Sequence, residues 1–480
     1  MISGLDLRSL LPAEIIAGGI LLNMTLITIL RKHVLIFISS LVVLISSAIS
    51  IFYISSIAPH SIGEIFLADR FGFYFQVLII LAAIVINVFS YIHIEKTFPG
   101  KRKEEYYLLM MLATLGACMM VISTHFISFF VSLEILNISL YSLISYFRER
   151  TKAIEAGLKY LILAAMSSAF ILFGMALVYA TTGTMAFHEL AGSISSLSTS
   201  STLMFLSGIG LMIAGIGFKL AFVPFHMWTP DVYEGASSPV TAFIATVSKG
   251  AMAAVLLRFF VMVDLYRFKN VMLVFMVVAI LSMLIGNLLA IRQNNVKRLL
   301  AYSSIAHFGY LLIALTAGIQ IGPAAAAFYI TAYIITILGA FGIITLMSGT
   351  DSEATNIEEY AGLFWKSPLL ATLFTIILLS LAGIPLTAGF MGKYFLLTAG
   401  VSKGNWLLVY ALVTGSVIGL YYYLRIIVVM MKRNNEMVPN AKFPIRSSIS
   451  GIMVLITLSG LVFYIGFNPA WLINLVKSIL

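Results

Sequence analysis

The chain has 480 residues, of which 61% are hydrophobic and 10% charged, with a mean hydropathy of +1.05. A soluble chain is roughly 45–50% apolar and about 25% charged, so the excess must face lipid, and disorder, collagen and coiled coil are excluded. The net charge of +10 lies in short loops between apolar runs, as membrane topology requires, and does not form a nucleic-acid surface.

A bilayer-spanning helix needs about 20 apolar residues. Runs of that kind predict fourteen spans, near 10–30, 34–57, 71–93, 105–122, 125–147, 158–181, 203–225, 239–262, 271–291, 300–318, 323–348, 367–398, 405–430 and 447–468. The first has Asp6 and Glu14 ahead of or within it and no clear cleavage site after it, which argues against a cleaved signal peptide. The fourth holds the one cysteine, Cys118, and a single thiol cannot hold an iron–sulfur cluster, a Cys zinc site or an internal disulfide. No Gly-rich phosphate loop for ATP or a dinucleotide is present. The connections leave no room for a soluble domain, so the expected fold is an all-α membrane bundle.

Seventeen Lys and Arg fall in one set of alternating loops, among them Arg31, Lys101, Arg102, Arg150, Lys297, Lys442 and Arg446, against six in the other set. That bias puts both termini outside and the basic loops in the cytoplasm. Six more basic residues lie in or at the ends of spans. Lys159, Arg258 and Arg425 are near span ends, where long side chains snorkel or form structural ion pairs.

The others are deeper. Glu134 is the tenth residue of the fifth span, and His307 is eight residues into the tenth. Lys249 is ten residues from Pro239, about 15 Å along a helix and half of a roughly 30 Å hydrocarbon core. Lys219 precedes Pro224 by five residues in GIGFKLAFVPFHMW. Lys393 follows Pro385 by eight in LSLAGIPLTAGFMGKYF. Both of these spans carry helix breakers, and freed backbone groups inside a membrane are tolerated only against protein or water. Paired interrupted helices mark transporters built from inverted repeats. The two broken spans are five apart, and an odd offset reverses orientation.

Buried ionisable groups in membranes are expensive and usually functional. Desolvation disfavours a charged amine, so a membrane lysine exchanges its proton more readily than one in water. A carboxylate at about 7 Å and an effective dielectric near 20 attracts the ammonium by roughly 2.4 kcal/mol. Moving such a carboxylate switches the lysine between holding and releasing a proton. Polar stripes accompany these groups: Glu134, Asn137, Tyr141 and Ser145 share a helix face, as do Ser303, His307 and Tyr310, and Tyr329, Tyr333 and Thr336. Such stripes serve a wet proton path or ordinary interhelical hydrogen bonding.

The stretches FVSLEILNISLYSLISY, GFKLAFVPFHMWTPDVYEGASSPVTAFIATVSKGA and NVKRLLAYSSIAHFGYLL closely resemble the antiporter-like subunits of respiratory complex I, and the resemblance covers nearly the whole chain. It implies fourteen transmembrane helices with discontinuous seventh and twelfth helices and two inverted five-helix repeats. The implied divisions are residues 1–104, 105–262, 271–430 and 431–480: three leading helices, the two repeats, and a final helix with its tail. It also implies a half-channel in each repeat joined by a central polar axis. On the matching motifs, Glu134 is the glutamate of the fifth span, Lys219 its lysine partner, Lys249 the central lysine, His307 the connecting residue and Lys393 the terminal lysine. Asp231, Glu234 and His226 are either a proton entry or plain solvated and interfacial groups, and the acidic loop DSEATNIEEY is solvated or meets a partner. Flavin (FMN), iron–sulfur clusters and the quinone cavity are expected in partner subunits, with other antiporter-like and small membrane subunits as neighbours. Two further features point to one subgroup: the short stretch after the last span excludes one sister subunit's long lateral helix, and Lys393 stands where another sister has glutamate. Rival readings are a subunit of a multisubunit cation/proton antiporter, the equivalent subunit of a ferredoxin- or plastoquinone-linked relative, and a scaffolding bundle.

Overall fold

The computed structural model describes residues 3–98, 103–194, 197–349, 352–433 and 448–479. Lys101, Arg102, Lys442 and Arg446 of the basic-loop count, and Asp351 of the acidic loop, lie outside these residues. Each expected span meets a helix. In chain order these are Leu11–Ile29, His33–Ile54, Arg70–Thr97, Glu105–Val121, Phe126–Ile144, Thr151–Thr182, Thr199–Leu220, Ser238–Val263, Lys269–Ile291, Val296–Thr316, Gly322–Met347, the pair Pro368–Ala382 and Ala388–Ser402, Trp406–Met431 and Ile449–Phe467. Among the described residues twelve helices are long and apolar enough to cross a membrane, and Glu105–Val121 and Pro368–Ala382 are shorter apolar helices.

The eleventh span is buried along its whole length, the eighth except near its end at Val261 and Met262, and the tenth almost throughout. They form a central column. A helix that is apolar all round is buried inside a bundle, and PVTAFIATVSKGAMAAVLL has that character. The first, second, sixth, ninth and fourteenth spans bury well under half of their residues and turn the rest outward.

The two loop sets gather on opposite faces. On the face of the termini, a hairpin of strands His60–Ile62 and Phe66–Ala68 pairs His60 with Ala68 and bridges Phe66 to Ser123. There Arg258 binds Asp69 with both guanidinium arms (2.9 and 2.7 Å) and the Val121 carbonyl through Nε (3.1 Å). Arg425 meets the carbonyls of Ile291 and Gln293 at the other face (3.4 and 3.3 Å), and Lys159 pairs with Glu155 (2.7 Å) and Asp231 (2.9 Å). All three near-surface cations are thus structural anchors.

The seventh helix stops earlier than its proline suggests. Ala221 takes a left-handed conformation (φ 62°), and the Phe222 N–H closes the helix on the Gly217 carbonyl (2.8 Å). Lys219 is therefore the penultimate helical residue. The twelfth span breaks by the same device at Gly383 (φ 84°), with the Ile384 N–H on the Leu379 carbonyl (3.0 Å). A proline follows each closing turn, as helix stops favour.

Two loop expectations need correction. The segment after the seventh helix is not a loop: Trp228–Gly235 is a short helix that buries Trp228, Val232 and Tyr233. Its Asp231 and Glu234 are not free solvated charges. Asp231 binds Lys159 (2.9 Å) and Arg298 (2.8 Å), and Glu234 binds Lys152 (2.8 Å) and Arg298 (3.0 Å). Burial alone would raise both carboxyl pKa values, but bonds from these cations override it and hold them low. In the acidic loop, Glu353 is buried, and Lys297, counted as a loop cation, is the fully buried second residue of the tenth helix. They pair at 2.8 Å, because neither charge tolerates burial unpaired.

Candidate functional site: a buried ionisable file

Glu134 stands mid-helix on the fifth span, half-buried, on the same edge as the exposed Val131 and Ile138. Its Oε1 accepts from Ser168 Oγ (2.5 Å) and Asn137 Nδ2 (3.1 Å). The other end of that amide, Asn137 Oδ1, accepts from Lys219 Nζ (2.5 Å), which also donates to Tyr160 OH (2.8 Å). Glu134 and Lys219 are therefore linked through one amide and make no direct ion pair among the described residues. At the break the Phe218 carbonyl accepts from the Ala221 N–H (3.0 Å) and from Trp228 Nε1 (2.9 Å), so the Lys219 ammonium takes no part in the cap and faces Asn137.

Lys249 is fully buried and directly follows a widened, π-type turn over Ile244–Ser248. Such turns concentrate at functional sites. Its Nζ donates to Ser304 Oγ (2.8 Å), which also accepts from Tyr333 OH (2.8 Å). The aromatic faces of Phe308, Tyr233 and Trp228 surround it at 5.1, 5.5 and 5.9 Å. No carboxylate is within ion-pair distance among the described residues. Ring faces and hydroxyls stabilise an ammonium less than a carboxylate does, so Lys249 is held by neutral groups alone.

Beyond Lys249, His307 bonds Tyr329 OH through Nδ1 (2.6 Å) and Tyr423 OH through Nε2 (3.4 Å), and Tyr423 OH also hydrogen-bonds Ser303 Oγ. Lys393 ends the file. Its Nζ donates to the Leu381 (3.1 Å) and Ala382 (2.9 Å) carbonyls, the free end of the first half of the broken twelfth span. A helix C-terminus carries partial negative charge, so the break itself serves as the counter-charge. Tyr310 lies between, its ring 5.7 Å from the His307 ring and 5.3 Å from Lys393 Nζ.

All five expected residues thus fall in one row: Glu134, Lys219, Lys249, His307, Lys393. None touches the next directly. Asn137 joins the first pair, the Tyr160 and Trp228 rings, tilted at 52° with centroids 5.1 Å apart, lead to Lys249, and Ser304 with Tyr333 leads to His307. Sequence reading passed over Tyr160, Ser168, Ser304 and Tyr423. Ser304 lies beside Ser303 of a recognised stripe, but the others carried no signal, since each meets its partner from a distant span. Of the stripe residues, Ser145 and Thr336 bond their own helix backbone, at Tyr141 (2.9 Å) and Ala332 (2.7 Å). His226 is buried in the turn after the broken seventh helix. Among the described residues, no group of three His, Cys, Asp or Glu is arranged to hold a metal ion.

An all-helical bundle with two helices broken inside it, and an ionisable row between the breaks, defines an antiporter-like membrane subunit. Residues 123–419 match the family described as NADH:quinone oxidoreductase/Mrp antiporter, TM. The NADH-quinone oxidoreductase subunit N of Ectopseudomonas mendocina (strain ymp) is 42% identical over 481 residues, covering 98% of this chain and 96% of the relative. That of Acinetobacter baumannii (strain AB0057) is 40% identical over 480 residues, covering 98% and 95%. A chain of respiratory complex I from Thermus thermophilus with bound aureothin superposes with a TM-score of 0.82 at 30% identity, over 96% of this chain and 98% of that one. A chain of the Mrp complex from Dietzia sp. DQ12-45-1b reaches 0.85 at 21% identity over 98% and 97%, a likeness of fold. The chain belongs to the NADH:quinone oxidoreductase/Mrp antiporter family, within which it groups with subunit N.

Proposed function

We propose that this chain is a proton-translocating membrane-arm subunit of an NADH–quinone oxidoreductase. The observation that carries the reading is the buried row from Glu134 to Lys393, in which amines and an imidazole are held by neutral groups and helix ends. In this reading Glu134 sets the charge felt by Lys219 through Asn137, Lys249 and His307 pass the proton along the centre, and Lys393 is the terminal acceptor. The half-exposed Glu134 edge then faces a sister subunit, whose charge state sets the first lysine. FMN, iron–sulfur clusters and quinone belong to partner subunits, and quinone reduction there drives the cycle.

The chain would sit in the bacterial cytoplasmic membrane with its termini outside and the basic loops in the cytoplasm. Residues 1–104 form the leading helices, 105–262 and 271–430 the two inverted repeats, and 431–480 the final helix and tail. The matched closing turns at Ala221 and Gly383 support that division. A cavity of about 220 Å³ on the basic-loop face, lined by Lys152, Glu155, Lys159, Asp231 and Glu234, supports a proton entrance there.

The test is Lys249→Ala and Glu134→Ala in the whole complex. Coupled electron transfer falls while the complex still assembles. Full proton pumping by a Lys249→Ala complex of normal abundance overturns the reading. Sodium-dependent transport without NADH activity would instead assign the chain to a cation/proton antiporter.

A further inference from the structure

Glu353 is a buried carboxylate that the proton row does not use. Its Oε2 accepts from Lys297 Nζ (2.8 Å) and Ser238 Oγ (2.9 Å), and its Oε1 from the Ser238 N–H (3.0 Å). His93 Nε2 lies 3.6 Å away and Arg150 Nη1 3.7 Å away. Lys297 Nζ also bonds the Ala236 carbonyl, just ahead of the eighth helix. One side chain thus ties the third span, the start of the sixth, the start of the eighth and the start of the tenth. Burying an ion pair is a weak source of stability, because desolvation offsets the attraction, so stability alone is a poor reason for these charges.

The positions of the two joins supply a better one. Ser238 and Lys249 share the eighth helix, and Lys297 and Ser304 share the tenth. The same two helices are joined once by Glu353 at the basic-loop face and again by the Lys249–Ser304 bond, about 10 Å further in along the tenth helix. On the eighth helix the widened turn Ile244–Ser248 lies between the joins. An extra residue in a helical turn lets the downstream part of the helix shift register without unwinding.

We propose that Glu353 is a positioning residue for Lys249. It holds the start of the eighth helix against the tenth, so that the Lys249 ammonium faces Ser304. When the clamp loosens, the widened turn takes up the change and Lys249 leaves Ser304. This rests on the proton role of Lys249 given above.

The test compares whole complexes carrying Glu353→Gln, Lys249→Ala and both. Glutamine keeps the size and an acceptor for Ser238 but loses the charge facing Lys297. At normal abundance, Glu353→Gln lowers protons pumped per NADH by about two- to thirtyfold, the range for a residue acting through a packed network. The double variant pumps no worse than Lys249→Ala alone, because both changes remove one effect. Normal pumping by Glu353→Gln beside a defective Lys249→Ala overturns the inference and leaves the function intact. A further loss in the double variant also overturns it. Normal pumping by Lys249→Ala overturns the underlying function instead. If Glu353→Gln fails to assemble, Ser238→Ala, which removes one bond of the clamp, gives the same comparison.

Discussion

At the scale of single residues, the site turns on Asn137. Its amide donates to Glu134 at one end and accepts from Lys219 at the other. Asparagine cannot itself carry the proton, but it can hold a carboxylate and an ammonium at fixed separation. Asn137→Leu, similar in volume and without hydrogen bonds, is expected to lower coupled quinone reduction about tenfold, the weight of one hydrogen bond to a charged group. An unchanged rate in a fully assembled complex would mean that Glu134 and Lys219 sense each other only through space. The spacing of Glu134 and Asn137 on one helix face was legible in the sequence. That Lys219 would meet the same amide was not, because the contact joins residues far apart in the chain and depends on where the seventh helix ends.

At the scale of elements, the two broken helices end alike but with different residues. Gly383 adopts φ 84° at no steric cost, whereas Ala221 holds φ 62° with a Cβ present. A Cβ on Gly383 would also meet Lys393 Cδ at 2.9 Å and Nζ at 3.1 Å. Gly383→Ala is therefore expected to cost about 2 kcal/mol, as conformational strain plus contact, and to loosen the cap on Lys393. Ala221→Gly is expected to stabilise by up to about 1 kcal/mol. Thermal unfolding of the purified complex distinguishes the two, and a stabilising Gly383→Ala would refute the closing-turn account. Sequence reading found both breaks from Pro224, Gly383 and Pro385. It misjudged the end of the seventh helix because a left-handed alanine leaves no mark in the sequence.

At the scale of the whole molecule, Glu353 links the third span to the starts of the sixth, eighth and tenth. Burial would raise its carboxyl pKa, but the neighbouring Lys297 and His93, with bonds from Lys297 and Ser238, hold it at about 2 against an ordinary 4.5. A depressed carboxyl pKa contributes stability above its unfolded value and loses it as pH falls through its folded value. The Glu353 contribution is thus intact above pH 4.5 and lost toward about pH 2. The thermal midpoint of the wild-type complex should fall across that window by more than that of Glu353→Gln. Equal acid slopes would show that Glu353 is not held charged in the folded protein.

Hydropathy and charge are local quantities, so the sequence by itself determined the fourteen apolar segments, the basic bias of alternate loops and which ionisable groups lie deep. The lipid environment makes those quantities decisive, since a charge or an open backbone cannot face hydrocarbon cheaply. Tertiary structure decided what each deep group touches: Asn137 between Glu134 and Lys219, Ser304 under Lys249, helix-end carbonyls on Lys393. It also decided that two loop-like charges, Lys297 and Glu353, are buried against each other. Those outcomes depend on which helices pack side by side, and in a chain apolar on every face no amphipathic stripe announces a helix's neighbours.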